Sequence, residues 1–184
     1  MSKIPPTDDA TETSEESPPK FVLGETDQEF VCFGEDDNRD IALLMLQQAE
    51  FKIDILSRYL DPAIYDTEEC CDAIETLALH NPHAIIRILI HEPKIIAQRG
   101  HYLIYLMRKL GSLINCRAVP EPYKATQDTF LLVDDIGVMH RQSVSNITSS
   151  VNFKNHPAAK KLTALFDKIW HNSEPTPYTR EIII

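Results

Sequence analysis

From residue 37 onward the apolar positions of the chain switch between helical and strand spacing. Asp37 or Asn38 can cap a first helix that carries Ile41, Leu44, Met45 and Ala49 on one stripe. Residues 51–57 (FKIDILS) alternate instead, with Phe51, Ile53 and Ile55 on one side. They predict a strand whose Leu56 asks for cover on the other side. Asp66, with Glu69 three residues on, opens a second helix bearing Cys70, Ile74, Leu77 and Ala78. Residues 84–90 (AIIRILI) form an almost unbroken apolar run, as in a strand covered on both faces of a parallel sheet. One long helix is expected over 95–110, with Arg108 and Lys109 at its negative dipole end and Gly111 just beyond. A strand over 113–119 stops at Pro120-Glu121-Pro122. Residues 126–141 (TQDTFLLVDDIGVMHR) read as a hairpin. Phe130 to Val133 run out, Asp134, Asp135 and Gly137 supply the turn, and Val138 to Arg141 return. Residues 143–152 are polar and read as a loop. Pro157 lies in the first turn of a closing helix that ends near His171 and buries Leu162, Leu165, Phe166, Ile169 and Trp170. Upstream, residues 21–23 and 29–33 are short β-prone patches.

This order predicts an α/β sandwich: a mixed, mostly parallel sheet with right-handed crossovers, flanked by helices. The domain is expected over 37–172. Residues 1–36 are expected to be an acidic, largely disordered tail, because their first twenty residues offer only Ile4 as a large apolar side chain after Met1. Residues 173–184 form a C-terminal tail whose Ile182, Ile183 and Ile184 are exposed unless they dock.

Charge sharpens that division. The net charge is −10, yet residues 1–37 hold eleven acids and two bases, and the remainder seventeen acids and sixteen bases. The folded part is nearly neutral. It lacks the concentrated basic face that phosphate-backbone contacts need, so nucleic acid is not an expected partner. Cys32, Cys70, Cys71 and Cys116 show no zinc spacing, and the adjacent Cys70 and Cys71 start a disulfide framework poorly. They read as thiols in a reducing cytoplasm, with no metal. No basic-then-apolar leader opens the sequence, and no apolar run approaches the ~18 residues that span a bilayer. Neither a G-x-G-x-x-G nor a P-loop spacing occurs, and no cofactor is expected.

Candidate chemistry lies in the hairpin. It resembles the motif region of the phospholipase D superfamily, which places His-x-Lys, four residues and then Asp around such a strand. With Asp134 at the Asp, Thr129 falls at the Lys and Gln127 at the His. Ser149-Ser150-Val151-Asn152 resembles the family's Gly-Ser-x-Asn, with Ser149 in place of Gly. Phe166 and Trp170 resemble the late Phe and Trp of its closing helix. The resemblance covers roughly residues 37–171. It implies the family's α/β/α sandwich and the pairing of two motif halves, here as a homodimer. The family's chemistry needs the His as nucleophile of a phospho-enzyme, with Lys, Asn and Ser on phosphate oxygens. Gln127 is no such nucleophile and Thr129 is no cation. The resemblance therefore implies a degenerate motif, made of Gln127, Thr129, Asp134, Ser150 and Asn152, with no catalytic residue among them. Asp134 and Asp135 are then turn formers that bond the local backbone.

A ligand site is expected beyond the carboxyl ends of the strands, where open α/β sheets collect ligands. Arg58, His91 and Arg117 lie at the ends of three predicted strands. Arg99, His101 and Arg108 belong to the helix between two of them, with His101 and Arg108 on one face. Arg58, His91, His101 and Arg117 are expected to line an anion pocket for phosphate or carboxylate. The competing expectation is that Asp61, Glu92 or Glu121 absorbs these bases in ordinary ion pairs. The expected function is non-enzymatic binding of a phosphate-bearing ligand or a protein partner. One alternative is an active phosphodiesterase or nuclease that uses a relocated histidine, His91 or His101, with His140 in the return strand as a further candidate. Another is an accessory subunit anchored by the isoleucine tail.

Overall fold

A computed structural model describes residues 21–142 and 147–179. Its centre is three parallel strands: β2 (Lys52–Ser57), β3 (Ile85–Ile90) and β4 (Ile114–Ala118). They run parallel because helices carry the chain back between them. The first crossover holds α2 (Pro62–Tyr65) and α3 (Glu68–His80), and the second holds α4 (Pro93–Arg99) and α5 (Tyr102–Lys109). The next three strands follow one another without α-helices between them. β5 (Thr129–Val133) lies antiparallel to β2, followed outward by β6 (Gly137–Arg141) and β7 (Thr148–Asn152). β1 (Phe30–Phe33) pairs antiparallel with β7 at one edge, and β8 (Glu174–Pro175) with β4 at the other. The eight strands lie in the order β1-β7-β6-β5-β2-β3-β4-β8. Five of the seven neighbouring pairs are antiparallel, which corrects the expectation of a mostly parallel sheet.

The two faces of the sheet are covered unequally. On one face α1 (Gly34–Gln47), α2, α3 and α5 pack Met45, Leu46, Ile74 and Leu103 over Ile53, Ile55, Ile88 and Leu131. On the other, α6 (His156–His171) packs Leu162, Phe166 and Ile169 over Leu56, Leu89, Phe130 and Leu132. Asp54 also points to the α6 side and is fully buried. Arg87 holds both its oxygens at 2.7 Å, reaches Asp167 of α6 at 2.9 Å, and lies 4.8 Å over the Phe166 ring. A buried carboxylate is tolerable only when paired this fully, and here the pairing also ties α6 to the sheet.

The expected hairpin is present. Asp134 and Asp135 both have left-handed φ, 52° and 55°, and the Ile136 N–H donates to the Val133 carbonyl at 3.1 Å. Both central residues of a type I′ turn need that conformation, which Asp accepts better than most residues. Gly137 follows because a Cβ there would lie 2.5 Å from Leu23 Cδ1 and 2.8 Å from Met45 Cε.

Five expectations change. The helix over 95–110 is two helices, because Gly100 turns at φ 77° and His101 then caps α5 by accepting from the Leu103 N–H at 3.1 Å. The loop over 143–152 contains β7, while residues 143–146 lie outside the described ones. The polar pattern hid β7 because Ser149 is buried as a donor to Asn38, itself buried in α1. Asn38 is thus no cap; α1 begins at Gly34. Thr67, rather than Asp66, caps α3, and Asp66 accepts instead from the Tyr102 N–H at 2.6 Å. Residues 21–33, assigned to the tail from sequence, supply β1 and Phe21, whose ring stacks 4.5 Å from Phe30 and 5.6 Å from Phe153.

Candidate functional site

One end of the sheet gathers the carboxyl ends of β2, β3, β4 and β6 with the start of β5. This follows from the strand directions alone. Ser57, Arg58, His91, Thr129 and Arg141 belong to that end; Lys52, Asp134 and Asn152 belong to the opposite one.

At the carboxyl end the backbone itself is unusual. Leu60, directly after β2, is fully buried with φ 48°, a conformation that costs a branched residue of order 1–3 kcal/mol. Its N–H donates to Ser57 Oγ at 3.0 Å. Its carbonyl accepts from His101 Nε2 at 3.0 Å. Since His101 Nδ1 accepts from the Leu103 N–H, both ring nitrogens are engaged and the neutral tautomer fits. Burial lowers the His101 pKa, against the opposing pull of Asp66 and the Leu60 carbonyl. His101 is therefore a buried strut between two turns.

His91 is different. It follows β3, is 2% exposed, and its Nδ1 is a buried nitrogen with no hydrogen-bond partner among the described residues. Burial first, then the charges of Arg58 and Lys124, push its pKa down to about 4, against the pull of Glu92. Lys124 sits there because its ammonium donates to the His91 carbonyl at 2.7 Å. Arg58 meets Glu92 only at 3.9 Å and is partly exposed. A neutral imidazole with an unused nitrogen thus follows β3 with two cations near it, Arg58 just after β2 and Lys124 from a later turn. Sequence reading missed Lys124, because it lies in the turn after Glu121–Tyr123 and reaches the site only through folding.

The remaining predicted bases go elsewhere. Arg117 faces the α6 side, 4.4 Å over the Trp170 ring, and donates to the carbonyls of Trp170 and Ser173 at 3.1 and 3.2 Å. His101 and α5 lie on the other face, so the sheet separates them and the four-residue convergence does not form. Arg99 is exposed at the end of α4. Arg108 is exposed and donates to the Tyr178 carbonyl at 3.3 Å.

The motif positions also separate. Gln127 is exposed, and Thr129 is buried beside its strand partner Arg141. Arg141 supplies a cation next to the Thr129 position, but Asp61 Oδ2 faces it at 3.3 and 3.4 Å. Asp134, at the far end, accepts from the backbone N–H groups of Glu50, Phe51 and Lys52 at 2.7, 2.9 and 2.7 Å. It does more than form a local turn, because it anchors the entry of β2 from more than eighty residues away. Ser150 and Asn152 face the α6 side, where a cavity of about 310 Å3 also meets His140 and Lys161. Ser150 donates to Glu29 at 2.6 Å, Asn152 accepts from the Lys154 N–H at 2.7 Å, and His140 is paired with Asp128 at 2.7 Å. Among the described residues no group of three or more His, Cys, Asp or Glu is placed to hold a metal ion, and no helix is long and apolar enough to cross a membrane.

The architecture so defined is that of the phospholipase D fold. Nuc from Salmonella typhimurium, a phospholipase D family member, matches with a TM-score of 0.55 at 16% identity, over 81% of this chain and 99% of its own. NucT from Helicobacter pylori matches with a TM-score of 0.56 at 9% identity, over 81% and 99%. TrmBL2, an archaeal chromatin protein whose structure shows a novel mode of DNA binding, matches with a TM-score of 0.60 at 14% identity over 83% of this chain. The matched region spans about half of TrmBL2, 55% of that chain. The chain belongs to the family described as a domain of unknown function, DUF7931, which it matches over residues 34–182. No curated protein matches its sequence.

Proposed function

We propose that this domain is a degenerate member of the phospholipase D superfamily that binds a phosphate-bearing ligand without cleaving it. The observation that carries the reading is the unpartnered, buried Nδ1 of His91 near Arg58 and Lys124. An anion bound there supplies what the site lacks: a countercharge for two cations and an acceptor that favours the imidazolium. Loss of turnover follows from residue types at the motif positions. The Gln127 amide forms no phospho-enzyme, and the Thr129 hydroxyl brings no charge to a developing phosphorane. The TrmBL2 likeness argues for including DNA among the phosphates tested, against the expectation drawn from net charge.

A second reading is an active phosphodiesterase with His91 as nucleophile, favoured by the same free nitrogen, neutral at pH 7. His101 does not compete for that role, since both its nitrogens are engaged. Two measurements decide. Calorimetry with inorganic phosphate is expected to show binding that weakens at least about tenfold (about 1.4 kcal/mol) in the Arg58→Ala, Lys124→Ala double variant. Unchanged affinity overturns the site. A chromogenic phosphodiester and single-stranded DNA, each with magnesium and with chelator, are expected to remain uncleaved. Cleavage that disappears in His91→Ala would establish the second reading instead.

A further inference from the structure

We propose that the outer edge of β1 takes an extended, basic segment of a partner protein as a ninth strand. The two edges of the sheet differ in kind. β8 is two residues long and one of them is Pro175, which has no N–H to offer a ladder. β1 is four residues, FVCF, with no proline and no charge. Among the described residues no strand pairs with its outer side. Natural edges are usually blunted by a charge, a proline or a bulge, and this one carries none of them within the strand, although its Phe33 N–H donates to Asp37 Oδ2 at 3.3 Å and must exchange that acceptor for the incoming strand.

The side chains of β1 alternate. Cys32 is buried against the α1 layer, while Val31 and Phe33, on the α6 side, are 48% and 66% exposed. Phe33 is the most exposed large apolar side chain among the described residues. α6 packs on β2, β5 and β6 and leaves this end of its face bare. An open ladder beside two bare apolar side chains is the receiving half of β-strand addition: the backbone gives affinity, and alternate side chains give specificity.

Charge selects the occupant. Residues 21–40 hold seven acids and one base, Arg39. Glu29 precedes the strand, and Glu35, Asp36 and Asp37 follow it directly. A second copy pairing through β1 brings these carboxylates onto one another. The chain's own residues 1–20, with five acids and two bases, repeat the problem more mildly. A partner strand that alternates lysine or arginine with apolar residues satisfies both features, its apolar residues over Val31 and Phe33 and its cations along the acidic flanks.

The test titrates the full-length protein with a fluorescein-labelled peptide of alternating lysine and valine, its glutamate–valine counterpart, and a lysine–valine peptide interrupted by proline. Saturable binding of the first is expected, with slowed amide exchange at Val31. Affinity is expected to fall at least about tenfold for the proline peptide and for the Val31→Lys, Phe33→Lys double variant. Both positions are exposed, and an unchanged circular dichroism spectrum verifies the fold. Equal binding of the glutamate peptide, or indifference to the double variant, overturns the proposal. So does a dimer in sedimentation that the double variant abolishes, which makes the occupant a second copy. A severalfold gain in affinity on removing residues 1–20 also overturns it, because the chain then fills its own edge.

Discussion

The two ends of the sheet treat their charges differently. At the Asp134 end most contacts are short, although Lys52 also lies 3.4 Å from Asp54 and Thr163 reaches Asp135 only at 3.5 Å. Arg87 grips Asp54 at 2.7 Å twice, Lys52 meets Asp135 at 2.6 Å, and Asp134 gathers three N–H groups within 2.9 Å. At the other end Arg141 meets Asp61 at 3.3 Å and Arg58 meets Glu92 at 3.9 Å, while His91 Nδ1 meets nothing among the described residues. Short contacts occur there too: Lys124 holds the His91 carbonyl at 2.7 Å, Asp128 pairs with His140 at the same distance, and Ser57 and His101 each hold Leu60 at 3.0 Å. The first end is a saturated network that fixes the fold. The second keeps polar capacity unspent where α/β sheets bind ligands. The proposed degenerate motif would follow the same division: Asp134 builds structure, and Gln127 and Thr129 would stand at the positions for chemistry.

Breaking the saturated end should cost most. Arg87→Met leaves Asp54 buried and unpaired, and urea denaturation is expected to show a loss of about 3–5 kcal/mol. An Asp54→Asn, Arg87→Met double variant should recover part of it; a loss under about 1 kcal/mol for the single variant would mean that the pair contributes little. Asp134→Ala removes three backbone bonds and a residue suited to left-handed φ, for an expected loss of about 2–4 kcal/mol. Asp134→Asn keeps the conformation and one acceptor oxygen, so its smaller loss separates charge from turn geometry.

The loose end should respond to pH and ligand more than to substitution. The folded chain holds His91 near a pKa of about 4 instead of the ordinary 6.5. Between those values the unfolded chain binds more protons, so stability rises with pH. This contribution is complete above about pH 6.5 and is lost as pH falls toward 4, with a slope of at most about 1.4 kcal/mol per pH unit for one group. Urea midpoints measured across that range are expected to be flatter in His91→Gln, and an unaltered slope assigns the acid sensitivity to other groups. Arg58→Ala should change stability least, by about 0.5 kcal/mol or less, because its pair is long and partly exposed.

The sequence carried the long-range order of this fold better than its pairing. Helix and strand periods located β2, α3, β3, β4, the hairpin and α6, because each buries a regular stripe. Strand direction was harder to read. An apolar run such as residues 84–90 shows burial on two faces but says nothing of its neighbours' sense, and three of the five antiparallel pairs join strands that are not consecutive in the chain. β7 escaped notice because its polar residues find partners only after folding, Ser149 on Asn38 and Ser150 on Glu29. At the site, Arg58 and His91 were legible from their places at strand ends. Lys124 was not, and Arg117 was misassigned, since which face a strand residue presents depends on register. His101 looked like chemistry because a cap and a ligand can use the same residue type.

The carboxyl end is proposed to bind phosphate through Arg58, His91 and Lys124. The most direct test is the ring titration of His91, followed by 15N-resolved NMR with and without saturating inorganic phosphate. The account expects a pKa near 4 in the free protein that rises by a unit or more when phosphate is bound, with the rise lost in Arg58→Ala, Lys124→Ala. A His91 titration that phosphate leaves unmoved would contradict it.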